Sequence, residues 1–190
     1  RQVAAFFGLT QSTMMRGQAY GFMALGSLQE RADMTARILD TRYHLLLPDL
    51  KLVGSPLDYY QWGALLKSLS GFEAYRRKYQ GGIRPIDVVE FVVLDPEFPR
   101  SLAYCVHGME RALGRIGTLP DGVVPERLAA LRQHLEGATP QRILDLGLHE
   151  YLDEFLVLLA DLGTALQSDY FEAHLADTRA DTRAATRGDG

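Results

Sequence analysis

From about Gly17 to Leu47 the apolar residues recur every three or four positions, and that rhythm predicts one long helix. Leu25, Leu28, Ala32, Thr35, Leu39, Arg42 and Leu46 form one stripe, and Tyr20, Met23, Ser27, Glu30, Met34, Ile38, Thr41 and Leu45 form a second. At about 100° per residue the stripes adjoin and together cover roughly half the helix, as expected of a helix with neighbours on two sides. Gln29, Asp33, Arg37, Asp40 and His44 occupy the remaining polar arc. Glu30 falls within the second stripe and Arg31 falls between the two. Burying either charge alone costs several kcal/mol, so each is expected to find a partner or to reach water from the rim. Neighbouring residues on a helix diverge by about 100°, so the two are expected to reach different partners.

The remaining chain reads as shorter helices of the same kind. Arg1 to Met14 precedes the long helix, with Thr10, Ser12 and Thr13 as caps, and Pro48 to Pro56 follows it as a loop. Leu57 to Leu69 presents Tyr60, Trp62, Leu65, Leu66 and Leu69 as an apolar side, and Phe72 to Tyr79 carries the basic run Arg76-Arg77-Lys78 on a solvated face. Val88 to Leu94 is β-branched enough for a strand, but no partner strand can be read elsewhere, so a buried helix is expected. Pro99 suits the first position of another helix, with Leu102, Val106, Met109, Leu113 and Ile116 as its core face. Pro125 to Glu136 and a helix opened by Pro140 come next, with Gly147 either ending the latter or absorbed into it. Leu148, Leu152, Phe155, Leu159, Leu162, Leu166 and Tyr170 line the last long helix. The expected fold is an all-α antiparallel helical bundle around one long central helix. It spans residues 1–175, and the polar repeats of 176–190 form a disordered tail.

Composition adds boundaries to this picture. A chain of 190 residues, 47% hydrophobic and 23% charged, is that of an ordinary globular domain. A net charge of -4 carries no electrostatic footprint for nucleic acid, and no apolar run nears the ~20 residues that span a bilayer. With a single cysteine, Cys105, there is no internal disulfide, and the cytoplasm is the default compartment.

Chemistry-bearing motifs are few. There is no glycine-rich phosphate loop, nucleophile elbow or zinc-protease motif, and no cofactor or metal site is read. His149 and Asp153 stand one turn apart, a spacing that could hold a metal, but no second helix offers the other ligands. Cys105 and His107, two apart on a helix, point to different sides. Arg100 falls in the first turn of its expected helix, where a cation opposes the dipole. It calls for a buried acid such as Glu30 or Asp33, or for an anion held with the N–H groups near Ser101 and Leu102.

The segment LGSLQERADMTARILD, Leu25 to Asp40, resembles the signature of the alpha-E domain, a bacterial all-helical domain named for its Glu-Arg motif. Further matches follow in order: Thr13-Met14 and Arg16, Trp62 with Leu65-Leu66, Tyr75 with Tyr79, Val89 to Asp95, Phe98-Pro99-Arg100-Ser101, and Tyr104-Cys105. The resemblance covers about Phe6 to Gly117 well and the rest by helical character alone. Fuller members of the family carry an earlier, related half with its own Glu-Arg pair, so this chain is expected to hold the later half. A homodimer or the earlier half is then expected to cover apolar residues near the first helix. The resemblance implies association with circularly permuted ATP-grasp proteins and transglutaminase-like proteins, in peptide or amide-bond metabolism. It leaves three roles open. One is a helical interaction module that docks on the ligase. Another is an enzyme in which Glu30, Arg31 and Arg100 line a pocket, with Glu30 as general base and the arginines holding a carboxylate or phosphate; Arg100, Ser101 and Arg16 are the anion-binding candidates. The last is a structural half-domain.

Overall fold

The structure, a computed structural model, describes residues 2–46, 56–119 and 121–172. Every regular element among them is helical and none is a strand, so the protein is all-α. The helices are α1 (Gln2–Thr13), α2 (Gln18–Leu46), α3 (Pro56–Ser68), α4 (Phe72–Lys78), α5 (Pro85–Val89), α6 (Leu102–Ile116), α7 (Val124–Glu136), α8 (Pro140–Leu146) and α9 (Leu148–Leu166). A π-helical turn extends α5 over Glu90–Leu94 and another extends α9 over Gln167–Glu172. The expected loop after Pro48 and the expected tail from 176 lie outside the described residues. No helix among the described residues is long and apolar enough to cross a membrane.

The long helix forms unbroken, but it is buried along one stripe and not over half its circumference. Leu25, Ala32, Thr35, Ala36 and Leu39 are sealed, while Glu30 and Met34 are exposed. Small residues explain the difference. Gly21 on α2, with Gly108 and Ala112 on α6, brings the two backbones close, so a narrow stripe completes the contact. A Cβ on Gly21 would stand 2.7 Å from Ile116 Cγ1 and 3.1 Å from the Ala112 carbonyl oxygen. One on Gly108 would stand 2.8 Å from the tip of Leu28. Gly21 lies against Ile116, and Arg31 reaches Pro99, so the two helices run antiparallel. Gln18 donates to the Ile116 carbonyl (2.9 Å), closing the end of the pair.

α9 packs along another side of α2, and α7 packs on both α6 and α9. The expected core faces of α6 (Leu102 to Ile116) and α9 (Leu148 to Leu166) are buried, with Tyr170 half-buried. Tyr170 meets Phe22 edge-on at 5.3 Å and donates its hydroxyl proton to the Gly117 carbonyl (2.6 Å). Val88, Val89, Phe91, Val92 and Val93 are buried and helical, because the apolar surroundings outweigh their modest helix propensity. Tyr60, expected on the apolar side of α3, is instead exposed, while Trp62, Leu65, Leu66 and Leu69 are buried. Gly147, at φ +103°, separates α8 from α9, since other residues rarely adopt that backbone conformation.

Candidate functional site

The segment between α5 and α6 positions the Glu-Arg region. Asp95, nearly buried, accepts hydrogen bonds from Lys78 Nζ and from the Glu97 N–H (both 2.8 Å). The pairing with Asp95 raises the Lys78 pKa, the hydrogen bond contributing most. Phe98 stacks on Phe91 (4.2 Å), anchoring the turn from below. Ser101 then caps α6. Its hydroxyl accepts from the Tyr104 N–H (3.0 Å) and donates to the Asp95 carbonyl. The helix therefore begins at Leu102, three residues after Pro99, and Arg100 stands outside its first turn. Ser101 is fully buried, its hydroxyl is engaged as both donor and acceptor, and its N–H donates to the Phe98 carbonyl. In this fold its work is to cap the helix.

Glu30 and Arg31 straddle α2. Arg31 turns toward α6 and donates to the Pro99 carbonyl (3.1 Å). Glu30 turns the other way, into an open hollow between α2 and α9 of about 320 Å³, lined also by Asp33, Arg37, Leu156 and Leu159. Beside it Gln29 donates to the Leu159 carbonyl (3.2 Å), and Asp33 pairs with Arg37 (2.8 Å). The hydrogen bond to Asp33 is the main cause that raises the Arg37 pKa. Arg100 is exposed and, among the described residues, makes no ion pair with Glu30 or Asp33. Glu30 is thus not buried as expected, and no direct ion pair ties Arg100 to Glu30 or Asp33. Each has its own cause: the stripe carrying Glu30 lies at the edge of the interhelical contact, and Arg100 precedes the N-cap of the helix in whose first turn it was expected.

On Arg31's side, α2 and α6 enclose a groove of about 260 Å³. Tyr20, Ala24, Ser27 and Arg31 line it from α2, Tyr104, Gly108, Arg111 and Arg115 line it from α6, and Gln11 closes it from α1. Arg16 lies over the Tyr20 ring at 4.1 Å, with Arg115 at 6.0 Å from the same ring. Arg16 also donates to the Gln11 carbonyl, and Arg115 to the Arg111 carbonyl (2.9 Å). No Asp or Glu lines this groove. Arg16 and Arg31, singled out from sequence, thus stand along one cationic face, joined by Arg111 and Arg115, which sequence reasoning missed. Their signal was available: positions 20, 24, 27 and 31 and positions 104, 108, 111 and 115 follow the same helical spacing of four, three and four.

Burial pushes the Cys105 thiol up to about 11, with Arg31 and Arg100 partly opposing that rise, so the thiol stays protonated and weakly nucleophilic at neutral pH. Its Sγ sits 3.9 Å from the Pro99 carbonyl, and His107 faces a separate hollow toward α7. His149 Nδ1 lies 2.7 Å from Asp40 Oδ1, and that hydrogen bond is the main cause raising the His149 pKa. Among the described residues no three His, Cys, Asp or Glu side chains are placed to hold a metal.

The family model described as Alpha-E, a predicted alpha-helical domain with a conserved ER motif, matches residues 1–171. The match runs well past Gly117, where the resemblance read from sequence became one of helical character alone. No match to the chain was found among curated proteins or solved structures.

Proposed function

Because the chain belongs to the alpha-E family, we propose that it serves ATP-grasp-type peptide or amide-bond formation as a helical interaction module. The observation that carries this reading is the divergence of Glu30 and Arg31 onto opposite sides of α2. A pocket enzyme needs its general base and its anion-holding arginines around one reacting centre. Here Glu30 faces α9, Arg31 faces α6, and Arg100 lies outside both sets of lining residues. The partners are a circularly permuted ATP-grasp protein or a transglutaminase-like protein. The reading is supported by exposed apolar side chains at α1, where Phe6 and Leu9 are each 63% exposed and Met15, just beyond the helix, is 88% exposed.

One observation favours the enzyme reading: Glu30 is solvent-accessible on an open hollow that mixes polar and apolar side chains. A single experiment separates the two. The chain is co-purified with a circularly permuted ATP-grasp partner, and ATP turnover is measured with and without it. The module reading expects a complex that alters turnover, is weakened by Phe6→Ser with Leu9→Ser, and is indifferent to Glu30→Gln. An intact complex whose turnover collapses in Glu30→Gln favours the enzyme. Absence of both complex and effect on turnover refutes the module.

A further inference from the structure

The groove between α2 and α6 concentrates positive charge on a protein whose net charge is -4. Arg31, Arg111 and Arg115 line it and Arg16 stands at its Tyr20 end. Among the described residues, none of the four forms an ion pair, although the chain has 24 acidic residues to offer. The neighbouring acids are used elsewhere: Glu110 pairs with Arg132 (3.2 Å), and Asp33 with Arg37. Leaving several arginines together without a carboxylate raises the free energy through like-charge repulsion, and a bound anion would relieve it.

We propose that this groove binds an extended acidic peptide segment of a partner protein. The shape specifies the ligand. From Tyr20 to Arg31 the α2 wall is about 16 Å long, which matches about five residues of extended chain. Arg111 and Arg115 are one helical turn apart, about 6 Å along the axis, close to the ~7 Å between alternate side chains of an extended peptide. Carboxylates at alternate positions can therefore meet successive arginines, with guanidinium forks suited to bidentate contact. Ala24, Leu28 and Ala112 give the groove an apolar floor for the methylenes between them. A nucleic-acid strand is the poorer fit, since its many phosphates would extend beyond this short patch into the field of a net-negative protein.

The test uses the chain alone, so that its outcome is separate from that of the co-purification above. Fluorescence anisotropy is followed with a labelled hexaglutamate peptide, a hexaglutamine control, and triphosphate and oligothymidylate as competitors. The expected result is binding of hexaglutamate only, weakening as salt is raised. Arg111→Gln with Arg115→Gln should lower affinity by about tenfold or more, while Arg111→Lys with Arg115→Lys, which keeps the charge but loses the bidentate fork, should fall between that pair and the parent. Both arginines are exposed, so the fold should survive, which circular dichroism verifies; Arg127→Gln, on exposed α7 surface, should bind as the parent does. Three results would each overturn the proposal: equal binding of the two peptides, equal loss in Arg127→Gln, or displacement of hexaglutamate by oligothymidylate or triphosphate at lower concentration than by unlabelled hexaglutamate.

Discussion

Adding one methyl group at Gly21 should loosen the α2–α6 contact on which the groove depends. The new Cβ would lie 2.7 Å from Ile116 Cγ1, 3.1 Å from the Ala112 carbonyl and 3.3 Å from Arg115 Cβ. The Ala112 carbonyl and Arg115 Cβ cannot rotate away, and Ile116 Cγ1 belongs to a buried side chain close to its backbone, so the helices must separate or tilt. Overpacking of this kind costs about 1–3 kcal/mol, and alanine's better helix propensity returns about 1 kcal/mol. Gly26, on the same helix, has nothing within 4 Å of an added Cβ, so Gly26→Ala isolates the propensity gain of about 0.5–1 kcal/mol. Gly108 is intermediate: its clash at 2.8 Å is with the tip of Leu28, which can change rotamer. The expected order of stability is Gly26→Ala, wild type, Gly108→Ala, Gly21→Ala, with the extremes about 1–3 kcal/mol apart. Urea unfolding followed by far-UV circular dichroism measures it, provided the slopes agree among variants. If Gly21→Ala proved as stable as Gly26→Ala, the close approach of α2 and α6 would be refuted, and the groove with it.

Three further outcomes are expected. Ser101→Ala should cost about 1–3 kcal/mol in the same urea assay, because it removes a helix cap and leaves the buried Asp95 carbonyl without its donor; Ser68→Ala, on exposed α3 surface, should be nearly neutral. Glu30→Gln and Arg100→Gln should be additive in a double-mutant cycle, and a strong coupling would show that the two charges meet after all. His134 and His149 should titrate on opposite sides of 6.5 when followed by NMR: burial against Tyr151 lowers His134, and Asp40 raises His149. The consequences for stability have opposite signs. Neutral His134 contributes stability that is present above 6.5 and lost as pH falls through its lower folded value. Charged His149 contributes stability that is present below 6.5 and lost as pH rises through its higher folded value. Two midpoints on the same side of 6.5 would refute the assignment.

The helices themselves were legible because their signals are local. Periodicity at three and four residues marked α2 as one helix, and the observed bounds, Gln18–Leu46, fall within a residue of the expected ones. The same signal marked the core faces of α6 and α9, where a hydrophobic residue at each turn has no other economical use. Even the β-branched run at Val88 to Leu94 could be read as helix, since a lone strand has nothing to pair with. Its π-helical turn, in which Phe91, Val92 and Val93 are buried, was not legible, because no local sequence signal marks the wider turn.

What stayed hidden were the facts that depend on which surfaces meet. Sequence alone could establish that Glu30 and Arg31 diverge, since that follows from helix geometry. It could not say that Glu30 would be exposed, because the width of the buried arc depends on how closely α6 approaches. That approach rests on Gly21 and Gly108 facing Ile116 and Leu28 across some ninety residues of chain. The matching spacing of Tyr20 to Arg31 and Tyr104 to Arg115 was written in the sequence twice, once in each helix. Only the antiparallel packing set the two stripes side by side and made separate arginines into one cationic groove. Helical periodicity is carried by residues three and four apart, whereas that groove needs contacts between distant segments, which no local pattern encodes.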